Sequence, residues 1–147
     1  LDLKMVAIPF PSGYTTESAH KEVLTSSFFD VRIKSANIRL EKIQKSIKNG
    51  DLDNLGRLVE EDSLELHALT MTGKDRVILF RPETINIINF VKQKQKEKIP
   101  IYYSMQTGPS IFINTNSDYI DEIYSEISEM GFNAIKSSVG DSVRIEN

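Results

Sequence analysis

The stretch 99-IPIYYSMQTGPSIFINT-115 decides the fold. Its apolar runs, 99–105 and 111–115, are of strand length and rich in β-branched and aromatic residues. Gly108-Pro109 between them supplies a turn, so the two runs read as neighbouring strands. On the N-terminal side, LKMVAIP (3–9) reads as a buried strand ended by Pro9 and Pro11. Residues 10–20 are polar and turn-rich. Over 32–48, Ile33, Ala36, Leu40, Ile43 and Ile47 recur at helical spacing and form one stripe, closed by Asn49-Gly50.

Asp51 can cap the next helix, which carries Leu52, Leu55, Val59, Leu66 and Leu69 and stops at Thr72-Gly73-Lys74-Asp75. Pro82 and Glu83 suit a first helical turn, and Ile85, Ile88 and Val91 continue it into the lysine-rich, solvated tail 92–98. Beyond the two strands, Asp118 can cap a helix bearing Ile120, Ile123, Ile127 and Met130, ended by Gly131. Residues 133–137 and 142–146 read as two last strands. The order is strand, three helices, two strands, helix, two strands. Helices and strands come in separate runs, which predicts an α+β domain, a small antiparallel sheet packed against helices, spanning 1–147.

Composition narrows the function. The chain has 147 residues, 39% hydrophobic and 27% charged, a size and balance suited to one globular domain. It has no cysteine, which excludes disulfides and thiolate metal sites. Its two histidines, His20 and His67, leave little for a histidine-based metal site, so no metal ligands are assigned. A net charge of -3 and a pI near 5.4 argue against nucleic acid as partner. No apolar run approaches the roughly 18 residues that span a bilayer. A cytoplasmic, soluble protein is the expectation. The opening LDLKMVAIPF starts in an apolar run without an initiator Met, which reads as a piece of a longer chain.

Three local features carry chemistry. GYTTESAHKE (13–22) places hydroxyls before a helix, where free backbone N–H groups suit an anion such as phosphate; the plain alternative is a capped loop. His20, in this polar loop, is the histidine placed to meet a substrate, whereas His67, at helical spacing with Ser63 and Leu66, reads as a packed structural residue. SMQTGPS (104–110) joins two strands, and Gly108 permits close approach of a ligand to backbone; the alternative is a simple turn. No phosphate-cradling GxxxxGK and no nucleophile elbow is present.

Taken together, TTESAHKEVLTSSFFDVR (15–32), NGDLDNLGRLVEEDSLELHALTM (49–71) and YYSMQTGPSIFI (102–113) resemble the C-terminal half of mevalonate diphosphate decarboxylase. That family lies in the superfamily of galactokinase and of homoserine, mevalonate and phosphomevalonate kinases. The matching marks are Thr25-Ser26, His67-Ala68 and the run from Tyr103 to Ser110. The resemblance implies the C-terminal domain of a two-domain small-molecule kinase-type fold, whose ATP-binding half lies elsewhere. It implies an enzyme that converts a phosphorylated mevalonate to an isopentenyl product with loss of CO2 and phosphate. ATP and Mg would be bound mainly by the other domain, and a homodimer is common. Thr15 and Thr16 stand where a Ser-Arg pair contacts the substrate diphosphate, His20 stands near an arginine of some members, and Gly108, Pro109 and Ser110 match the loop that closes the pocket.

The chain departs from the family at two positions. Gln106 takes the place of the catalytic aspartate, and a neutral amide cannot act as a general base. Thr16 replaces the arginine of the phosphate loop. Within the resemblance, these departures favour an archaeal branch that decarboxylates mevalonate 3,5-bisphosphate without ATP, with Gln106 and His20 as the catalytic donors. A C3 kinase of the same family that does not decarboxylate is one alternative. A regulatory or dimerisation domain that kept the fold and lost the chemistry is another.

Overall fold

A computed structural model describes residues 1–140. The elements are β1 (Lys4–Ile8), α1 (Thr16–Val23), α2 (Phe29–Asn49), α3 (Leu52–Thr72), α4 (Pro82–Lys96), β2 (Tyr102–Met105), β3 (Ile111–Thr115), α5 (Ile120–Glu129) and β4 (Ile135–Ser138). The strands form one antiparallel sheet in the order β2-β3-β1-β4. The α+β architecture expected from the sequence is therefore present.

Strand alternation builds the core. Val6, Ile8, Tyr103, Met105, Ile111 and Ile113 project from one sheet face onto Ile87 and Val91 of α4 and Ile123 and Ile127 of α5. Each fully buried Ile or Val there contributes about 1.5–3 kcal/mol of transfer free energy. The other face of β2 meets α3 at a close crossing. A Cβ added to Gly56 would lie 2.0 Å from the ring of Tyr102, so only glycine admits the strand at this depth.

The helix pair α2–α3 is joined by polar groups. Arg39, 3% exposed, donates to Asp62 at 2.8 Å and to Glu61 at 3.1 Å. Arg32 donates to Asp62 at 2.7 Å, and Ser35 donates to Glu65 at 2.6 Å. Burial pushes the Glu65 carboxyl up, but the Ser35 hydroxyl and the Arg39 guanidinium outweigh it and hold the group below its ordinary value. A depressed carboxylate stabilises the fold fully above its unfolded pKa and loses that contribution as pH falls through the folded value. Acid unfolding should therefore draw on Glu65 below about pH 4.5, and Glu65→Gln should flatten the pH dependence of urea stability in that range. An unchanged slope in the variant would show that the network adds nothing.

Helix punctuation follows the sequence in most places. Gly50 is left-handed at φ 68° and closes α2, Asp51 accepts from the Asn54 N–H, and Pro82 opens α4. Other expectations need correction. Residues 16–23 form a helix of their own, so four helices, not three, precede β2. The reason is the Thr15 hydroxyl, which accepts from the Ser18 N–H and turns a polar segment into a capped helix. Helix α2 begins at Phe29 rather than 32, because its apolar stripe marks only the part with helical spacing. Tyr119, not Asp118, caps α5, without a side-chain bond. The strand expected at 142–146 lies outside the described residues. Among the described residues no helix is long and apolar enough to cross a membrane.

Candidate functional site

Two segments a hundred residues apart meet at the end of the sheet. The β2–β3 connection, 106–110, and the loop between β1 and α1 are tied by three contacts. Thr107 Oγ1 donates to Thr16 Oγ1 at 3.2 Å, Ser110 Oγ accepts from the Phe10 N–H at 3.0 Å, and the same hydroxyl reaches the Phe10 carbonyl at 3.3 Å. The antiparallel pairing of Ile8 with Ile111 in β1 and β3 forces this meeting, because both chains leave the sheet at the same end. The start of α4 completes the frame. The hydroxyl of Thr84, wholly buried, donates to the Pro109 carbonyl at 2.9 Å.

The predicted residues do not all stay available. Thr15 Oγ1 accepts from the Ser18 N–H at 3.1 Å and donates to Ser18 Oγ at 2.8 Å, so its hydroxyl serves its own helix. Ser110 is likewise engaged with Phe10, and Pro109 is buried. Thr16 and Gln106 are exposed, and Gly108 is half-buried with nothing within 4 Å of an added Cβ. His20 is not in the loop, as the sequence reading had it. It lies on α1, exposed, four residues beyond Thr16 and so on the same helix face.

Electrostatics at this corner favour an anion. The first N–H groups of a helix have no intrahelical acceptor and carry partial positive charge. In α1 the Ser18 N–H is capped, which leaves those of Thr16 and Glu17 at the end that touches the hairpin. The sequence reading missed Arg81. It stands 6.0 Å over the Phe10 ring and donates to the Pro11 carbonyl at 3.3 Å. Its bonds to Glu83 are also long, 3.3 Å each, so the guanidinium can take a better partner. Its only local signal was a place immediately before Pro82, which says nothing of the loop it reaches.

Two clefts border the hairpin. One, about 250 Å³, is lined by Ser12, Gly13, Tyr14, Ile78, Arg81 and Pro109. The other, about 270 Å³, is lined by Met5, Ile43, Asp62, Ser104, Gln106 and Phe112. A larger cleft of about 770 Å³ lies between α3, α4 and the β2 edge, away from every predicted residue. Its acidic groups are already matched, Glu60 by Lys92 and Gln95 and Asp53 by the Tyr102 hydroxyl. Arg57 and Lys98 also line it, so this cleft too suits an anion, but it lies apart from the hairpin corner.

His67, expected to be a packed structural residue, is packed. It is 1% exposed and stacks on Phe80 at 4.5 Å between ring centroids. Neither ring nitrogen makes a hydrogen bond of good geometry among the described residues, and the backbone of Gln106 is the acceptor nearest to forming one. Burial pushes the imidazole below its ordinary pKa, and the backbone of Gln106 beside it opposes that shift.

Comparison with known proteins places this geometry. Residues 13–143 match the family described as mevalonate 5-diphosphate decarboxylase C-terminal domain. The phosphomevalonate decarboxylase of Haloferax volcanii is 34% identical over 131 residues, covering 88% of this chain and 40% of that protein. The mevalonate 3,5-bisphosphate decarboxylase of Thermoplasma acidophilum is 23% identical over 137 residues, covering 84% of this chain and 33% of that protein. The solved structure of mevalonate pyrophosphate decarboxylase from Streptococcus pyogenes has the same fold, with a TM-score of 0.90 at 19% identity over 99% of this chain and 47% of that one. The chain thus spans less than half the length of these relatives.

Proposed function

The chain belongs to the mevalonate 5-diphosphate decarboxylase C-terminal domain family, and from that premise we propose that it supplies the substrate-facing half of a decarboxylase acting on a phosphorylated mevalonate. The observation that carries this reading is the contact between Thr16 and Thr107, which sets the start of α1 against the hairpin bearing Gln106. An anionic substrate at that corner meets the Thr16 hydroxyl, two helix N–H groups and the Arg81 guanidinium. Arg81 supplies the charge that Thr16 lacks.

In the reaction, the bond from C2 to the carboxylate breaks and its electron pair forms the new double bond. The phosphate at C3 departs with the electrons of its C–O bond. Charge therefore builds on the departing phosphate, and donors aimed at it lower the barrier. The Gln106 amide N–H and the His20 ring are the groups we assign there. Gln106 takes no proton, in keeping with its neutral amide. ATP and Mg, which the resemblance assigns mainly to the other domain, find no glycine-rich phosphate loop in this sequence. They would activate the C3 hydroxyl as a leaving group, and this chain's residues would bind and orient the substrate and donate to the departing phosphate. The other domain of the same protein is the partner this division requires.

Similarity favours the 5-phosphate as substrate, since identity to the Haloferax enzyme exceeds that to the bisphosphate enzyme, 34% against 23%. The bisphosphate reading keeps one observation of its own, the neutral Gln106, because a substrate already phosphorylated on C3 needs no base. The full-length protein should release CO2 from mevalonate 5-phosphate in the presence of ATP. Release from the 3,5-bisphosphate without ATP would select the second reading. A phosphorylated product without CO2 would make the protein a C3 kinase and defeat both. Arg81→Ala should raise KM about tenfold or more with little change in kcat, by removal of a charged hydrogen bond to bound substrate. An unaltered KM would remove Arg81 from the site.

A further inference from the structure

The cleft of about 770 Å³ between α3, α4 and the β2 edge has a size suited to a small molecule. Three cations, Arg57, Lys92 and Lys98, line it against two carboxylates, Asp53 and Glu60. Both carboxylates are already matched within the protein. Asp53 accepts from the Tyr102 hydroxyl at 2.9 Å, and Arg57, one helical turn along α3, lies against the same hydroxyl. Glu60 accepts from Gln95 at 2.8 Å, from the Tyr103 N–H at 3.3 Å and from Lys92. Arg57 and Lys98 are exposed, and neither forms an ion pair among the described residues. The charge left over in the cleft is therefore positive.

Lys98 is held there against its backbone preference. α4 ends in a Schellman motif, in which the Ile99 N–H donates to the Lys94 carbonyl at 3.2 Å and the Lys98 N–H to the Gln95 carbonyl at 3.0 Å. The motif places the residue after the cap in the left-handed region, and Lys98 stands at φ 65°. Glycine takes such a place without strain, as Gly50 does at the end of α2, whereas a lysine there is strained. Lys94 and Lys96 complement the negative end of α4, and Lys94 also pairs with Glu126. Lys98 lies beyond that turn and has neither role. An observed outlier at a cleft points to a function for the side chain it carries. We propose that this cleft is a second anion site, which takes the phosphate or diphosphate group of a small molecule on Arg57 and Lys98. Lys92 adds a donor, since an ammonium has three N–H groups and Glu60 and Gln95 accept two of them. Ile99 and Pro100 offer an apolar wall to the rest of the ligand. No residue assigned to the hairpin corner lines the cleft, so the inference is independent of the decarboxylase reading.

The test uses the full-length protein, with the other domain in place. Titration with inorganic diphosphate at low salt should move the Arg57 side-chain ¹⁵N–H resonance saturably, a local readout that binding elsewhere leaves still. Added salt should weaken that binding. Lys98→Gly should raise the Kd read from this resonance about tenfold, the scale of one charged hydrogen bond. The same variant should melt at a higher temperature, because glycine relieves the left-handed turn, so weaker binding cannot be laid to a damaged fold. Lys98→Arg, which keeps the charge, should bind as the wild type does. Inorganic phosphate and isopentenyl phosphate, compared in the same way, identify the source of the group. Tighter binding of the ester assigns an organic phosphate lying on Ile99 and Pro100, and equal binding assigns the free anion. An unmoved Arg57 resonance, or a Kd unaltered in Lys98→Gly, would overturn the proposal.

Discussion

Gln106→Ala, made in the full-length protein, is expected to lower kcat about 10²-fold and to leave the unfolding midpoint unchanged. The size is that of removing one donor aimed at charge that develops in the transition state, about 2.7 kcal/mol or more. The selectivity for activity follows from position. Gln106 is exposed on the β2–β3 hairpin, and the bonds that hold the hairpin are made by Thr84, Ser110, Thr107 and Ser63. Truncating the side chain removes an amide without opening a cavity. The measurement is a steady-state assay of CO2 release beside a thermal melt. A variant with full turnover would show that the amide does not face the departing phosphate. A variant with a lowered melting temperature would show that Gln106 serves the fold.

Gly56→Ala should have the largest effect on stability. In an ordinary exposed helix this change is favourable by about 1 kcal/mol. At this site the new methyl would fall 2.0 Å from Tyr102 Cγ and 2.1 Å from Cδ2. The ring has little room to yield, because its hydroxyl donates to Asp53 at 2.9 Å and its residue is 5% exposed. Burial and Asp53 together push that hydroxyl up to about 12, so it remains a donor at neutral pH. α3 must then lift from β2, which stretches the Glu60 and Ser63 bonds to the strand edge. Overpacking of this kind costs about 1–3 kcal/mol, and the strained bonds add to it. A net loss of about 2 kcal/mol corresponds to a fall of roughly 4–8 °C in Tm for a domain of this size. An unchanged or raised Tm would mean that the helix and strand are not held at this distance.

The two variants test different parts of one arrangement, because α3 connects them. Its glycine lets β2 approach, and its Glu60 and Ser63 side chains then hold the strand edge at Tyr103 and Met105. A weakened crossing should therefore also loosen the site, so Gly56→Ala is expected to lower activity beyond the fraction unfolded.

Much of this was legible along the chain. The two apolar runs around Gly108-Pro109, the stripe from Ile33 to Ile47 and the closing signals at Gly50, Asp51 and Pro82 are local, and each names its element through spacing and backbone preference. The segments at 15–32, 49–71 and 102–113 carried the family in the same way. The α1 helix was hidden because its first turn is polar, with a cap and no apolar stripe to announce it. His20 was placed in a loop for that reason. Arg81 was overlooked because nothing near Pro82 points to Pro11, seventy residues earlier.

By itself the amino-acid order determined which stretches bury a face, where each helix stops and which family the chain resembles, since periodicity and capping act over a few residues. Only the folded chain decided which of those faces meet. Thr16 joins Thr107 across 91 positions and Phe10 joins Ser110 across 100, through the antiparallel register of β1 with β3. The fate of the hydroxyls and of His67 was settled there as well. A polar side chain takes its partners from its neighbours in space, and these come from strands and helices whose separation along the chain leaves no local trace.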